Sequence, residues 1–143
     1  MKIRLLLLTV AVAIASGPVL RADETELGAK MEKIGGAFRA LRRQIADPSK
    51  NADSLAKVAT IREHAEASLK LEPAKKAEIP AAQQAKFVAD YRAEMKKFIE
   101  LTGKVEAALK ANNNEEAGKL LNALNDHQKQ SHKAFKKDDK KKS

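Results

Sequence analysis

Apolar side chains recur at intervals of three and four residues in four stretches of the chain. Polar or proline-containing breaks separate these stretches. The stretches cover about residues 24–46, about 52–71, a long segment that begins near residue 81, and about 115–137. This spacing puts the apolar side chains on one face of a helix. The apolar positions are, stretch by stretch, Leu27, Met31, Ile34, Phe38, Leu41 and Ile45; Leu55, Val58, Ile61, Ala65 and Leu69; Phe87, Tyr91, Met95, Phe98, Thr102, Val105 and Leu109; and Ala117, Leu120, Leu121, Leu124 and Phe135. The pattern predicts four amphipathic helices.

The breaks between these stretches are short and have residues that end helices. Pro48 lies in the first break, Pro73 and Pro80 bracket the second, and residues 112–114 are three asparagines, which favour turns and helix caps. Gly103 is expected to remain inside the third helix at a cost of about 1 kcal/mol. No segment alternates with the period of a strand, so we expect an all-α fold, an antiparallel up-down-up-down four-helix bundle.

The N-terminal segment has the features of a secretory signal peptide. Lys2 and Arg4 precede an apolar run that extends to Ala15, and Gly17 and Pro18 follow it. The run is about half of the roughly 20 residues that a membrane-spanning helix needs, so an uncleaved anchor is the weaker alternative. We expect residues 1–22 to be removed, residues 23–137 to form the bundle, and residues 138–143 to be a charged disordered tail.

Composition limits the possible functions of the exported domain. Removing residues 1–22 lowers the formal net charge from +9 to +6, which favours acidic partners, although the lysine-rich end could also serve only as a solubilising tail. The chain has no cysteine, which excludes thiol catalysis, iron–sulfur clusters and covalent haem attachment. With no tryptophan and a single tyrosine, a carbohydrate or single-stranded nucleic-acid platform is disfavoured.

Bundle geometry brings two potential metal ligands to one end of the molecule. Met31 would lie about 11 Å from the start of the first helix and His132 about 8 Å from the end of the antiparallel fourth helix, at a rise of 1.5 Å per residue. A methionine sulfur and a histidine nitrogen facing each other are a known pair of axial haem ligands. Leu27, Ile34, Phe87 and Tyr91 would be candidate pocket walls at the same end.

Each of these residues also has a simpler structural interpretation. Met31 fits the apolar stripe and could serve only as core packing. His127 and His132 lie about equally far from the stripe of the fourth helix, so periodicity does not choose between them, and His64 is expected to face solvent. Gly35 and Gly36 would allow close helix approach or leave room for a flat ligand beside Met31. The histidine spacings fit no zinc or di-iron motif, and Ser131 beside His132 has no orienting acid.

Three segments resemble the cytochrome b562 family, with the class II cytochromes c′ as close relatives. They are LGAKMEKIGGAFRALRRQI at Leu27–Ile45, AKFVADYRAEM at Ala85–Met95 and SHKAFKK at Ser131–Lys137. The resemblance covers about residues 23–137 and implies axial haem ligation by Met31 and His132, which leaves His127 solvated. The c′ relatives carry C-x-x-C-H where this chain has residues 128–132, so the resemblance implies non-covalent b-type haem, one per chain. Members of the b562 family often have an arginine one turn before the histidine, where this chain has Gln128.

These features lead to three hypotheses about function. The leading one is a periplasmic, non-enzymatic electron-transfer protein with haem b between Met31 and His132, with an acidic redox partner, no nucleic acid and no membrane segment after signal removal. The first alternative is a haem-free periplasmic bundle that binds a protein partner as a stress adaptor. The second is a haem sensor whose methionine ligand is exchangeable.

Overall fold

A computed structural model describes residues 25–137 and contains four α-helices joined by short connections. Helix α1 spans Glu26–Gln44, α2 Asn51–Ser68, α3 Ala81–Lys110 and α4 Asn114–Phe135, with short 3-10 helices at Pro48–Lys50 and Ala74–Glu78. The predicted all-α four-helix bundle is confirmed, and each helix lies within a few residues of its expected place. Within residues 25–137, no helix has both the length and the apolar character needed to cross a membrane. The predicted signal peptide and charged tail lie outside the described residues.

Side-chain caps fix where α1 and α4 begin. The Thr25 hydroxyl accepts a hydrogen bond from the Gly28 amide at 3.0 Å, and the Asn113 side chain accepts one from the Glu116 amide at 3.1 Å. These caps satisfy backbone donors that have no partner inside a helix. Asn112 adopts the left-handed conformation with φ 53°, which asparagine tolerates better than most residues, and this allows the tight α3–α4 turn. Gly103 stays within α3, as expected.

The main cluster of buried apolar side chains lies mostly in one half of the bundle. The helices pack in chain order, α1 on α2, α2 on α3 and α3 on α4, and each is antiparallel to the next. The buried core comprises Ile34, Phe38, Leu41 and Ile45 of α1 and its cap; Val58, Ile61 and Ala65 of α2; Phe98, Val105, Ala108 and Leu109 of α3; and Ala117, Leu121 and Leu124 of α4. Most of these residues lie towards the end where α1 and α3 finish and α4 begins, here called the closed end; Ala65 lies near the far end of α2. The opposite end, where α1 begins and α4 finishes, is called the open end.

A network of side-chain amides joins α4 to the other helices at the closed end. The Asn114 amide donates to the Ile45 carbonyl and to the Asn51 side-chain oxygen, at 2.7 Å in each case. The Asn51 amide in turn donates to the side-chain oxygens of Asn112 and Asn114, at 3.1 and 3.2 Å. Asn51 is buried, so these bonds replace hydrogen bonds that water would otherwise supply. They connect the end of α1, the start of α2 and the start of α4.

The amide network makes a measurable contribution to stability. We expect Asn114→Ala to lower the free energy of unfolding by about 2 kcal/mol, because the substitution removes the donor to the Ile45 carbonyl and to the Asn51 side-chain oxygen. Urea unfolding followed by circular dichroism measures the change. Asn122→Ala, at an exposed position of the same helix, is the matched control and should change stability by less than about 0.5 kcal/mol. Equal effects of the two substitutions would show that the network does not stabilise the fold.

Candidate functional site

A cavity of about 610 Å³ lies at the open end between α1 and α4. Its volume falls in the range of roughly 300–1,000 Å³ that is typical of small-molecule sites. The backbones of α1 and α4 do not approach each other as closely as those of consecutive helices do. Parts of α3 and the α2–α3 connection at Pro73 and Ala74 complete the walls. The apolar lining consists mainly of Leu27, Met31, Ile34, Phe38, Tyr91, Met95, Phe98 and Phe135.

Met31 and His132 both line this cavity, from opposite helices. Met31 comes five residues after the first residue of α1, and His132 three residues before the last residue of α4. At 1.5 Å per residue they lie about 8 and about 5 Å from the open end, so they are at nearly the same level. Met31 is half-buried and packs against the core, whereas His132 is more exposed than Met31 and lies at the cavity margin.

The environment of His132 favours its neutral form. Partial burial of the imidazole lowers the pKa of His132 below its ordinary value of 6.5, and the positive charge of Lys136 lowers it further. Only a neutral imidazole nitrogen has the lone pair that binds a metal. At neutral pH the side chain is therefore in the protonation state that a metal ligand requires.

The cavity has two further potential ligands that sequence reasoning did not place there. Met95 of α3 and His127 of α4 also line its walls, so two thioethers and two imidazoles surround the same space. Met95 had a detectable signal, because it lies on the apolar stripe of α3 one turn from Tyr91. Within the part of the chain that the structure describes, no group of three or more histidine, aspartate and glutamate side chains is arranged to hold a metal ion.

The expectation that His127 is solvated is wrong. Its side chain is only 15% exposed, and its Nε2 lies 2.9 Å from a carboxylate oxygen of Glu94 on α3. Its ring lies 6.3 Å from that of Phe98, and its Nδ1 is buried without a hydrogen-bond partner among the described residues. The side chain turns towards α3 because the antiparallel packing of α3 and α4 puts Glu94 within reach, although the two residues are 33 positions apart. Sequence periodicity does not predict the pairing of Glu94 with His127.

Aromatic side chains close the outer part of the cavity. The ring of Phe135 lies 5.3 Å from that of Phe87 and 5.7 Å from that of Tyr91, in tilted and edge-on arrangements that aromatic pairs prefer. The Tyr91 hydroxyl donates to the Ser68 carbonyl at 3.0 Å, and burial raises the pKa of Tyr91 to about 12. Tyr91 therefore stays protonated and ties α3 to the end of α2. Tyr91, Leu27 and Ile34 line the cavity as expected, whereas Phe87, also expected as a pocket wall, contacts Phe135 without lining the cavity. Phe135 was expected only as part of the apolar stripe.

The remaining candidate residues are His64, Gly35 and Gly36, and only Gly35 lines the cavity. His64 on α2 is partly exposed and does not line the cavity. Gly35 lines the cavity, whereas Gly36 faces a shallower groove beside α2. A Cβ on Gly35 would come within 4 Å only of the Arg39 guanidinium among its nearest neighbours, and one on Gly36 would meet nothing within that distance. Neither glycine is a point of close helix approach, so the alternative, room for a ligand beside Met31, agrees better with the position of Gly35.

The cavity suits a flat, largely apolar ligand that carries a metal. It is open between two helices, its walls are apolar, and sulfur and nitrogen donors lie on both sides of it. A sequence model of the cytochrome b562 family matches residues 26–136. Comparison with curated proteins gave no significant match, and neither did comparison with solved structures. The family match spans all four helices and every cavity-lining residue named above.

The Glu94 carboxylate, which contacts both Lys97 and His127, makes the stability of this end depend on pH. A hydrogen bond from Lys97 lowers the pKa of Glu94 below its ordinary value of 4.5, partial burial opposes this, and the bond to His127 lowers it further. Because the folded-state pKa is depressed, the stabilisation is present above about pH 4.5 and is lost as the pH falls through the folded value. We expect wild-type protein to exceed Glu94→Gln in unfolding free energy at pH 5–7, and the difference to shrink below pH 4.5.

Urea unfolding at pH 7, 4.5 and 3 measures this difference. Repeating the comparison in a Lys97→Met background should weaken the pH dependence, since Lys97 is the largest cause of the lowered pKa. A difference that is unchanged at pH 3 would show that the Glu94 carboxylate charge does not contribute.

Proposed function

The chain belongs to the cytochrome b562 family, a family of haem-binding helical bundles that carry electrons, and we propose that this protein is a periplasmic b-type cytochrome. In this proposal residues 1–22 direct export, and one haem b per chain is held non-covalently with Met31 and His132 as axial ligands. The observation that carries it is the position of these two side chains on facing helices, at one level of the open-end cavity.

The chemistry of the two side chains supports a role in electron transfer. A bound haem would supply a one-electron iron couple, and a thioether ligand favours the reduced iron and so a higher potential. Two axial side chains leave no coordination position for a substrate or a gas, so the protein is proposed to be a carrier and not an enzyme. The absence of cysteine from the chain leaves only non-covalent attachment. His132, whose neutral form is favoured at neutral pH, can bind iron without losing a proton.

The charges around the cavity support an acidic redox partner. Five basic side chains and two acidic ones line it among the described residues; the basic ones are Arg39, Arg42, Lys129, Lys136 and Lys137, and the acidic ones Glu32 and Glu94. Electrons would leave or arrive at this end because the ligand lies here. A positive margin attracts a negatively charged protein surface and increases the rate of encounter at low salt.

Ligand substitution tests the axial assignment directly. We expect purified protein with added haem to show the sharp bands of a six-coordinate b-type cytochrome on reduction. Met31→Leu and His132→Ala should each abolish these bands and weaken haem binding by at least about tenfold, or about 1.4 kcal/mol. Absorbance titration measures both effects.

The structure offers matched comparisons for each ligand. Met95→Leu and His127→Ala alter the other sulfur and nitrogen donors of the cavity, and His64→Ala alters a histidine outside it. The positions of the reduced bands should be kept in all three variants. Loss of the bands in Met95→Leu or His127→Ala, with retention in Met31→Leu or His132→Ala, would assign ligation to the other pair. Absence of haem binding by the wild-type protein would refute the proposed function.

A further inference from the structure

The basic side chains at the cavity differ in whether they have an ion-pair partner. Lys137 is paired with Glu78 at 3.1 Å, and Lys129 lies 3.7 Å from Asp126. The side chains of Arg39 and Arg42 of α1, by contrast, make no ion pair or hydrogen bond with any of residues 25–137. A guanidinium at a cavity wall without a partner can bind an incoming anion without first breaking another contact.

The guanidinium of Arg39 lies beside Gly35, one of the residues that line the cavity. The Arg39 Nη1 atom lies 3.4 Å from the point that a Cβ on Gly35 would occupy, which is an ordinary van der Waals contact. Helical side chains lean towards the N-terminus of their helix, so the guanidinium reaches back one turn from its own Cα towards Met31.

The guanidinium reaches a level of the cavity where the opposite wall is neutral. Gly35 follows Met31 by four residues, and Gln128 precedes His132 by four, so the two lie at similar levels on antiparallel helices. Gln128 also lines the cavity. The cation at this level is therefore supplied by α1, across the cavity from the uncharged side chain of α4.

We propose that Arg39 binds a carboxylate of the tetrapyrrole held in this cavity, an inference that rests on the proposed function. Haem b carries two propionate groups along one edge of its ring, and both are ionised at neutral pH. A guanidinium donates two parallel hydrogen bonds to one carboxylate, which fixes the orientation of the ligand as well as adding binding energy. Arg42, one turn further along α1, adds positive charge beside it.

The experiment compares haem with its dimethyl ester, in which both carboxylates are neutral. We expect Arg39→Gln to weaken haem binding by roughly tenfold, the size expected for a lost charge-assisted hydrogen bond. Binding of the dimethyl ester should change by less than about twofold, because no carboxylate remains to be paired. Arg39→Lys should fall between wild type and Arg39→Gln for haem, since it keeps the charge and loses the planar fork. Absorbance titration of the full exported protein gives each dissociation constant.

Arg43→Gln is the matched control, because Arg43 is an exposed arginine of the same helix that does not line the cavity. It removes the same charge and should leave both affinities within about twofold. Far-UV circular dichroism confirms that each variant is folded. Equal losses for Arg39→Gln and Arg43→Gln with haem would overturn the proposal, as would an equal loss for haem and ester. Wild-type protein that binds neither ligand would refute the proposed function itself.

Discussion

The hydrogen bonds that connect Asn114 with Asn51 and the Ile45 carbonyl join the two helices at opposite ends of the sequence. Helices α1 and α4 are not consecutive, and elsewhere their backbones stay apart. The amide network and the adjoining apolar core fix their separation at the closed end, and from there the two helices extend to the open end with a cavity between them. Gly35 and the α2–α3 connection then shape that cavity. The position of every potential ligand in the cavity depends on this attachment, because helix level and rotation are set where the helices are packed.

Much of the fold follows from local pattern. The apolar stripes predict four helices and the side chains that are buried in them, since a period of 3.6 residues is a property of each helix alone. Asn112 and Asn113 likewise make their turn and cap through local backbone geometry. Contacts between helices are different. The pairing of Glu94 with His127 and the amide bonds of Asn51 join residues that are 33 and more than 60 positions apart. These contacts depend on how far each helix is rotated and shifted against its neighbour, which periodicity leaves undetermined.

The same distinction applies to the candidate site. The level of Met31 and His132 along the bundle follows from antiparallel order and helix rise, so their shared level was predictable. The apolar stripe of α3 predicts burial of Met95, but not that α3 faces the gap between α1 and α4, and periodicity did not distinguish His127 from His132. The buried, unpartnered Nδ1 of His127 is a polar atom that the packing leaves without compensation. The cavity therefore contains a histidine proposed to bind the ligand, His132, and a second one, His127, that lies beside it with one ring nitrogen unpaired.

Two of the cavity walls include terminal turns, the first turns of α1 and the last turns of α4. Terminal turns have fewer backbone hydrogen bonds than the middle of a helix and open at lower free energy. The closed end, in contrast, is held by the apolar core and the amide network. Fraying at the open end therefore offers a route for ligand loading and release that needs no global unfolding, and hydrogen exchange at the two ends would reveal the difference. The residence time of the ligand is then set by local opening, even though the bound ligand stabilises the whole fold.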